Sequence, residues 1–214
     1  MKIAIPIFER MTALDCIGPY EVLSRIPGAE VTFIASETGP KRADTNMLSV
    51  SADATLADLT RPDVILIGGG YGTRSLMKDP EMLDWVRTAH QTSQWTTSVC
   101  TGALVLGAAG ILDGLEATTY WMELETLRQF GATPVSERFV EQGKVITAAG
   151  VSAGIDMALM LAARMTAPEV AQAIQLGIEY DPQPPFDTGS PAKAPQEIQD
   201  LVRAAQRAEE QAAA

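Results

Sequence analysis

Short apolar runs alternate along the chain with longer stretches whose apolar positions recur at helical spacing. Residues 2–8 form a nearly continuous apolar run, as a strand buried on both faces does. Pro19 suits the first turn of a helix and breaks an interior. The first helix is therefore expected to start near Gly18 and Pro19 and to run through Tyr20-Glu21-Val22-Leu23. That boundary leaves Asp15 in the connection after the first strand. Residues 30–35 predict a second strand. Residues 63–67 (DVILI) predict the clearest one, which stops at Gly68-Gly69-Gly70-Tyr71-Gly72. A helix is expected over 80–90 with Met82, Leu83 and Val86 on one face, followed by a strand over 95–99 that runs into Cys100-Thr101-Gly102. The small apolar residues 103–109 suit a helix packed closely on a sheet. Residues 139–142 and 144–148 read as a hairpin turning near Gly143, and 151–165, apolar on nearly all sides, as a buried helix.

Pro182, Pro184, Pro185, Pro191 and Pro195 make 180–195 an irregular connection to a polar helix at 196–211. Strands alternating with helices indicate a single doubly wound α/β domain, its mainly parallel sheet covered by helices on both faces.

Composition narrows the function classes. The 214 residues carry 16 Lys+Arg against 27 Asp+Glu, a formal charge of −11. Such a surface repels phosphate backbones and no basic stripe offsets it, so nucleic acid is not an expected partner. No apolar run approaches the ~20 residues that span a bilayer. The opening MKIAIPIFERM reads as a first strand rather than a signal peptide, because Glu9 and Arg10 follow at once and no small-residue cleavage site is present. Cys16 and Cys100 make no disulfide framework and fit a reducing compartment, so the expected location is the cytoplasm. Nothing supplies the clustered ligands of a metal site.

In a doubly wound sheet, ligands bind beyond the carboxyl ends of the strands. Asp15, the glycine run and Cys100 all follow predicted strands there. A cysteine at a sharp strand-to-helix turn lies beside a helix N-terminus, whose partial positive charge favours thiolate. That makes Cys100 a candidate nucleophile; its other reading is a small buried hydrophobe. The glycine run either lets backbone N–H groups approach a substrate or makes a tight turn. It has neither dinucleotide-binding nor phosphate-loop spacing. His90 lies at the opposite end of the 95–99 strand, about 16 Å from Cys100 at a rise of ~3.3 Å per residue. It reads as an exposed helix residue, and a Cys–His dyad within one chain is excluded. A carboxylate is then the available proton carrier, and Asp15 is the best placed, with capping of the following turn as its other role.

Three segments carry a resemblance to the ThiJ/PfpI superfamily: Leu14-Asp15-Cys16-Ile17-Gly18-Pro19-Tyr20-Glu21-Val22-Leu23, the Gly-Gly-Gly-Tyr-Gly run, and Ser98-Val99-Cys100-Thr101-Gly102-Ala103. The match continues through Gly107-Ala108-Ala109-Gly110, Ala117-Thr118-Thr119-Tyr120-Trp121, Ser152-Ala153-Gly154-Ile155-Asp156 and Glu179-Tyr180-Asp181-Pro182-Gln183-Pro184-Pro185-Phe186. The Leu-Asp motif and the Pro-Pro-Phe region are most similar to the isocyanide-hydrating branch. The resemblance implies a flavodoxin-like strand order, with the family domain over 1–186 and a connection and helix over 187–214 packed on it or on a dimer partner. It implies a cofactor-free hydratase that turns an isocyanide into an N-substituted formamide, working as a homodimer. Cys100 would be the nucleophile that forms a thioimidate and Asp15 the proton shuttle. Thr101 would orient the thiolate or the intermediate, and Gly69 and Gly70 would form the anion pocket; Trp121 reads as a substrate contact, and Tyr120 either binds substrate through its hydroxyl or only packs.

Many relatives carry histidine where this chain has Tyr120, which argues against glutaminase or protease-like chemistry. Cys16 reads as core, with a redox partnership to Cys100 as the alternative. The competing functions are glyoxal-type carbonyl chemistry by the same cysteine and a non-enzymatic domain for redox or ligand sensing.

Overall fold

In the computed structural model, which describes residues 1–212, the opening apolar run becomes strand β1 (Lys2–Pro6). Its Ile3, Ala4 and Ile5 are fully buried, as a strand covered on both faces requires. Six more strands join it: β2 (Glu30–Ala35), β3 (Ala54–Thr55), β4 (Val64–Ile67), β5 (Trp95–Val99), β6 (Phe139–Gln142) and β7 (Val145–Ala148). Their order is β6-β7-β5-β4-β1-β2-β3. Every neighbouring pair is parallel except β6 and β7, which form the expected antiparallel hairpin around Gly143 (φ 60°).

The helices longer than one turn are α1 (Ala13–Leu23), α2 (Pro80–Thr92), α3 (Gly102–Ala108), α4 (Ala153–Met165), α5 (Pro168–Gly177) and α6 (Gln196–Ala212), and a single helical turn spans Thr73–Leu76. The chain runs outward from β1 to β2 and β3, then returns to β4 on the other side of β1. The carboxyl ends of β1 and β4 therefore flank the switch point, where such sheets hold their ligands. The residues form two compact units, Met1–Glu179 and Tyr180–Ala214. The second holds the proline-rich connection and α6. No described helix is long and apolar enough to cross a membrane.

Two helix starts differ from expectation. Helix α1 begins at Ala13, so Pro19 lies in its interior and Asp15 in its first turn, not in the connection. An interior proline removes one helical hydrogen bond, and close packing on α4 offsets that loss. A Cβ on Gly18 would come within 3.0 Å of Ile155 Cγ1, and Pro19 Cγ would lie 3.0 Å from a Cβ on Gly154. Helix α4 begins at Ala153, which leaves Val151 in the turn after β7. Sequence periodicity also gave no sign of α5, of the antiparallel pair Gly39–Arg42 and Ser49–Ala52, or of the 3₁₀ segment Trp121–Phe130. On α2, Trp85 and Ala89 share the buried face with Met82 and Val86, while Leu83 is only half-buried.

Helix α3 sits directly on the end of β4. A Cβ on Gly102 would fall 2.1 Å from the Ile67 carbonyl oxygen, a backbone atom that cannot turn aside. Gly102→Ala is thus expected to cost about 3 kcal/mol or more of stability, as overpacking against backbone does. Urea unfolding of the variant beside the wild type measures it, and an unchanged midpoint would count against this packing.

Candidate active site

The site is assembled where α1, the glycine run and the β5–α3 turn meet. Thr12 N–H donates to the Gly69 carbonyl (2.9 Å), tying the start of α1 to the end of β4. This delivers Asp15, which is fully buried, beneath the glycines. Its Oδ2 accepts the Gly69 N–H at 2.8 Å. Its Oδ1 has no well-aligned hydrogen-bond partner among the described residues, and the side chain with which the carboxyl hydrogen-bonds is the Cys100 thiol. Burial raises the Asp15 pKa to about 7, against the opposing pull of the Gly69 N–H and the thiol; the Asp44 carboxylate adds to the rise. Asp44 is held in place by the Thr12 hydroxyl, which donates to its Oδ2 at 2.7 Å.

Cys100 occupies the sharp turn between β5 and α3 with φ 56°, a left-handed conformation uncommon outside glycine. Its surroundings fix it there. The Cys100 N–H donates to the Ala148 and Ala149 carbonyls (3.1 and 3.0 Å), and its own carbonyl accepts from Thr119 Oγ1 at 2.7 Å. The N–H groups of Thr101 and Val151 both point at the sulfur and favour its charged form. Burial outweighs them: it lifts the thiol pKa well above the ordinary value, and the charge of Asp15 lifts it further. The N–H at the helix N-terminus thus favours thiolate, while burial and the Asp15 charge oppose it. The thiol faces a carboxyl group poised near neutral pH.

Gly69 is required by this crowding. A Cβ there would lie 2.6 Å from Thr101 N, 2.7 Å from Thr101 Oγ1 and 2.8 Å from Asp15 Oδ2. Gly69→Ala should consequently lower turnover by more than about tenfold, since a small displacement of reacting groups suffices for that. Steady-state rates on folded protein test it. Gly70 (φ 126°) donates its N–H to Thr101 Oγ1 at 3.0 Å, so in this structure that donor holds the threonine hydroxyl. Tyr120 is half-buried beside the turn that leads to Val151: a Cβ on Gly150 would meet its Cδ2 at 3.0 Å. Trp121 contacts Tyr120 edge to face, with ring centroids 6.1 Å apart.

Four contributors escaped sequence reasoning. Val151 was placed inside a helix, yet it stands outside with φ 38°, a strained value for a β-branched residue. Thr119, Thr73 and the Ala148–Ala149 carbonyls act through hydrogen bonds that no spacing rule announces. Cys16 is fully buried, its sulfur packed under the backbone of Gly68, and burial raises its pKa. Both cysteines are free. His90 is half-buried rather than exposed: its Nδ1 lies 2.8 Å from Thr96 Oγ1, at the end of β5 opposite Cys100. Burial, then the nearby Lys144 charge, lowers its pKa.

A family description matches residues 1–164, that of the DJ-1/PfpI family. The chain belongs to this family. Over 203 residues it is 41% identical to a Pseudomonas putida protein named isonitrile hydratase, spanning 95% of this chain and 89% of that one. A crystal structure of a ThiJ/PfpI family protein from Pseudomonas syringae superposes with a TM-score of 0.91 at 34% identity, over 94% of this chain and 84% of that one. The DJ-1/PfpI chain is also similar to the oxidized DJ-1 of Toxoplasma gondii, at 22% identity and a TM-score of 0.75 over 85% of this chain and 99% of that one, a likeness of fold.

Proposed function

We propose that the protein hydrates isocyanides to N-substituted formamides, with Cys100 as nucleophile and Asp15 as the group that carries the protons. The observation that carries this reading is the buried Asp15 carboxyl, poised near neutral pH and facing the Cys100 thiol. The identity to the Pseudomonas putida isonitrile hydratase over almost the whole chain supports the substrate.

An isocyanide presents a terminal carbon that accepts a nucleophile and then a proton. Asp15 takes the thiol proton as sulfur bonds to that carbon, then returns it to the same carbon, giving the thioimidate S–CH=N–R. Water adds across the C=N bond: its oxygen bonds to carbon, and its proton reaches nitrogen through Asp15. The C–S bond then breaks, the hydroxyl proton passes back to sulfur, and N-substituted formamide leaves. Atoms balance to one isocyanide plus one water, and no cofactor takes part in the sequence. Thr101 contributes its N–H to the sulfur and its hydroxyl to the intermediate, while Tyr120 and Trp121 flank the substrate.

The first step requires the Asp15 carboxylate, because a protonated carboxyl cannot accept the thiol proton. kcat/KM should rise with pH through about 7 and then level off, since the thiol stays protonated far above that point. Formamide release from one alkyl and one aryl isocyanide, followed across this range, tests both claims. No formamide from either, together with loss of methylglyoxal, would replace this reading with carbonyl chemistry.

The functional unit in this reading is a homodimer in a reducing compartment, the cytoplasm. Exposed Leu14, Met47 and Leu48, and Ile198, Leu201 and Val202 at helical spacing on α6, support a second copy as their cover, with the 187–214 segment part of that interface. Sedimentation showing only a monomer would exclude it.

A further inference from the structure

Val151 holds a φ of 38°, yet its N–H is one of the two donors aimed at the Cys100 sulfur. A β-branched residue keeps that conformation only where its surroundings enforce it. Two hydrogen bonds shape the turn from within: Ala153 N–H donates to the Gly150 carbonyl (3.1 Å) and Gly154 N–H to the Val151 carbonyl (3.2 Å). A Cβ on Gly154 would lie 2.9 Å from Val99 Cγ2, so the start of α4 is seated closely on β5. A further hold comes from one residue, Arg138, just before β6. Its carbonyl accepts the Ala149 N–H at 3.0 Å, two residues before Val151. Its Nη2 donates to Ser152 Oγ at 3.2 Å and its Nε to Asp156 Oδ2 at 2.5 Å, one and five residues after Val151. Ser152 stands at the N-cap of α4 but makes no side-chain cap to that helix; its hydroxyl oxygen serves the guanidinium instead. Arg138 thus grips the chain on both sides of the strained position.

We propose that Arg138 is a positioning residue: by bracketing Val151 between Ala149 and the Ser152–Asp156 pair, it holds the Val151 N–H on the Cys100 sulfur. It acts through the backbone and not on the reacting atoms. The catalytic consequence rests on the hydratase reading. There the sulfur gains negative charge as its proton leaves for Asp15, and a fixed N–H stabilises that charge. Without the guanidinium, the turn relaxes the strained φ and the N–H swings off the sulfur.

The test uses Arg138→Gln, Asp156→Asn and the two combined; both side chains are partly exposed, so the variants should fold. Each single replacement should lower kcat/KM for formamide production about tenfold, less than the removal of a whole donor costs. The double variant should lose no more than either single one, because the same grip is already gone. Charge alone predicts otherwise. Losing the Arg138 cation disfavours a charged sulfur and losing the Asp156 anion favours it, so the two replacements would act in opposite directions. Amide hydrogen exchange reads the cause directly. The Val151 N–H should exchange about tenfold faster in each variant, while the Thr101 N–H, the other donor to the sulfur, keeps its wild-type rate. Opposite effects of the two replacements, a double variant about a hundredfold down, or a Val151 amide that exchanges as in wild type overturns the inference. A wild-type enzyme that makes no formamide overturns the hydratase reading, whereas faster Val151 exchange in both variants would still uphold Arg138 as the hold on that donor.

Discussion

Cys100→Ala should reduce formamide production by at least about a thousandfold, the usual consequence of deleting the atom that forms the covalent intermediate. Intact-mass measurement during turnover gives the complementary result. Wild-type protein should gain the mass of one isocyanide, and the variant should gain none. The fold should persist, because the bonds that hold the turn are backbone groups of residue 100, which accept or donate to Ala148, Ala149 and Thr119 whatever the side chain. Residual turnover within a factor of ten of wild type would remove Cys100 from the reaction.

Asp15→Asn should move activity and stability in opposite directions. The amide cannot accept the thiol proton, so turnover should fall by about a hundredfold or more, within the contribution of a positioned general base. Stability follows from the sign of the pKa change. Asp15 binds its proton more tightly in the folded state, where its pKa is about 7, than at its ordinary value of 3.8. The folded state holds the extra proton between those values, so stability declines as pH rises from about 4 through 7, and the full penalty applies above. A gap of roughly three units corresponds to about 4 kcal/mol at most. The asparagine variant escapes that penalty. Its unfolding midpoint should exceed the wild type's at pH about 8, and the two should converge near pH about 4. A wild-type advantage at both pH values would mean that the carboxylate is stabilised in the fold rather than merely tolerated. The site's chemistry thus depends on a group whose charge is unfavourable to folding, a common cost of function.

Much of this was legible in the chain. Strands Glu30–Ala35 and Trp95–Val99 fall on the residues their apolar and β-branched pattern marks. The buried Thr96 and Thr97 of the second suit a strand by their branching, and Thr97 pairs its hydroxyl with the Ile65 carbonyl. The convergence of Asp15, the glycines and Cys100 follows from strand ends in a doubly wound sheet. What escaped has a physical reason in each case. Pro19 misplaced the start of α1, because the close fit of Gly18 and Gly154 between α1 and α4 is a tertiary fact that overrides a local rule. Val151 looked helical, because nothing in a valine announces a left-handed backbone. Thr73 and Thr119 are ordinary residues until folding brings their hydroxyls to the Gly70 and Cys100 carbonyls. The opposing pull of burial on the thiol was not legible, because a helix terminus is visible in sequence and the depth of burial is not.

The two rims of the central sheet bear on how the protein behaves in crowded solution. On one side the sheet stops at β3, only two residues long (Ala54–Thr55). On the other it stops at β6, which turns antiparallel, places Glu141 in an ion pair with Arg164 (3.1 Å), and packs against the small strand Glu116–Ala117. Neither rim offers an incoming chain a long, bare row of unpaired amides. Together with eleven units of net negative charge, this leaves native molecules little means of annealing strand to strand. Polymerisation through β-pairing should therefore await opening of the domain itself, and the onset of turbidity on heating should follow unfolding rather than precede it.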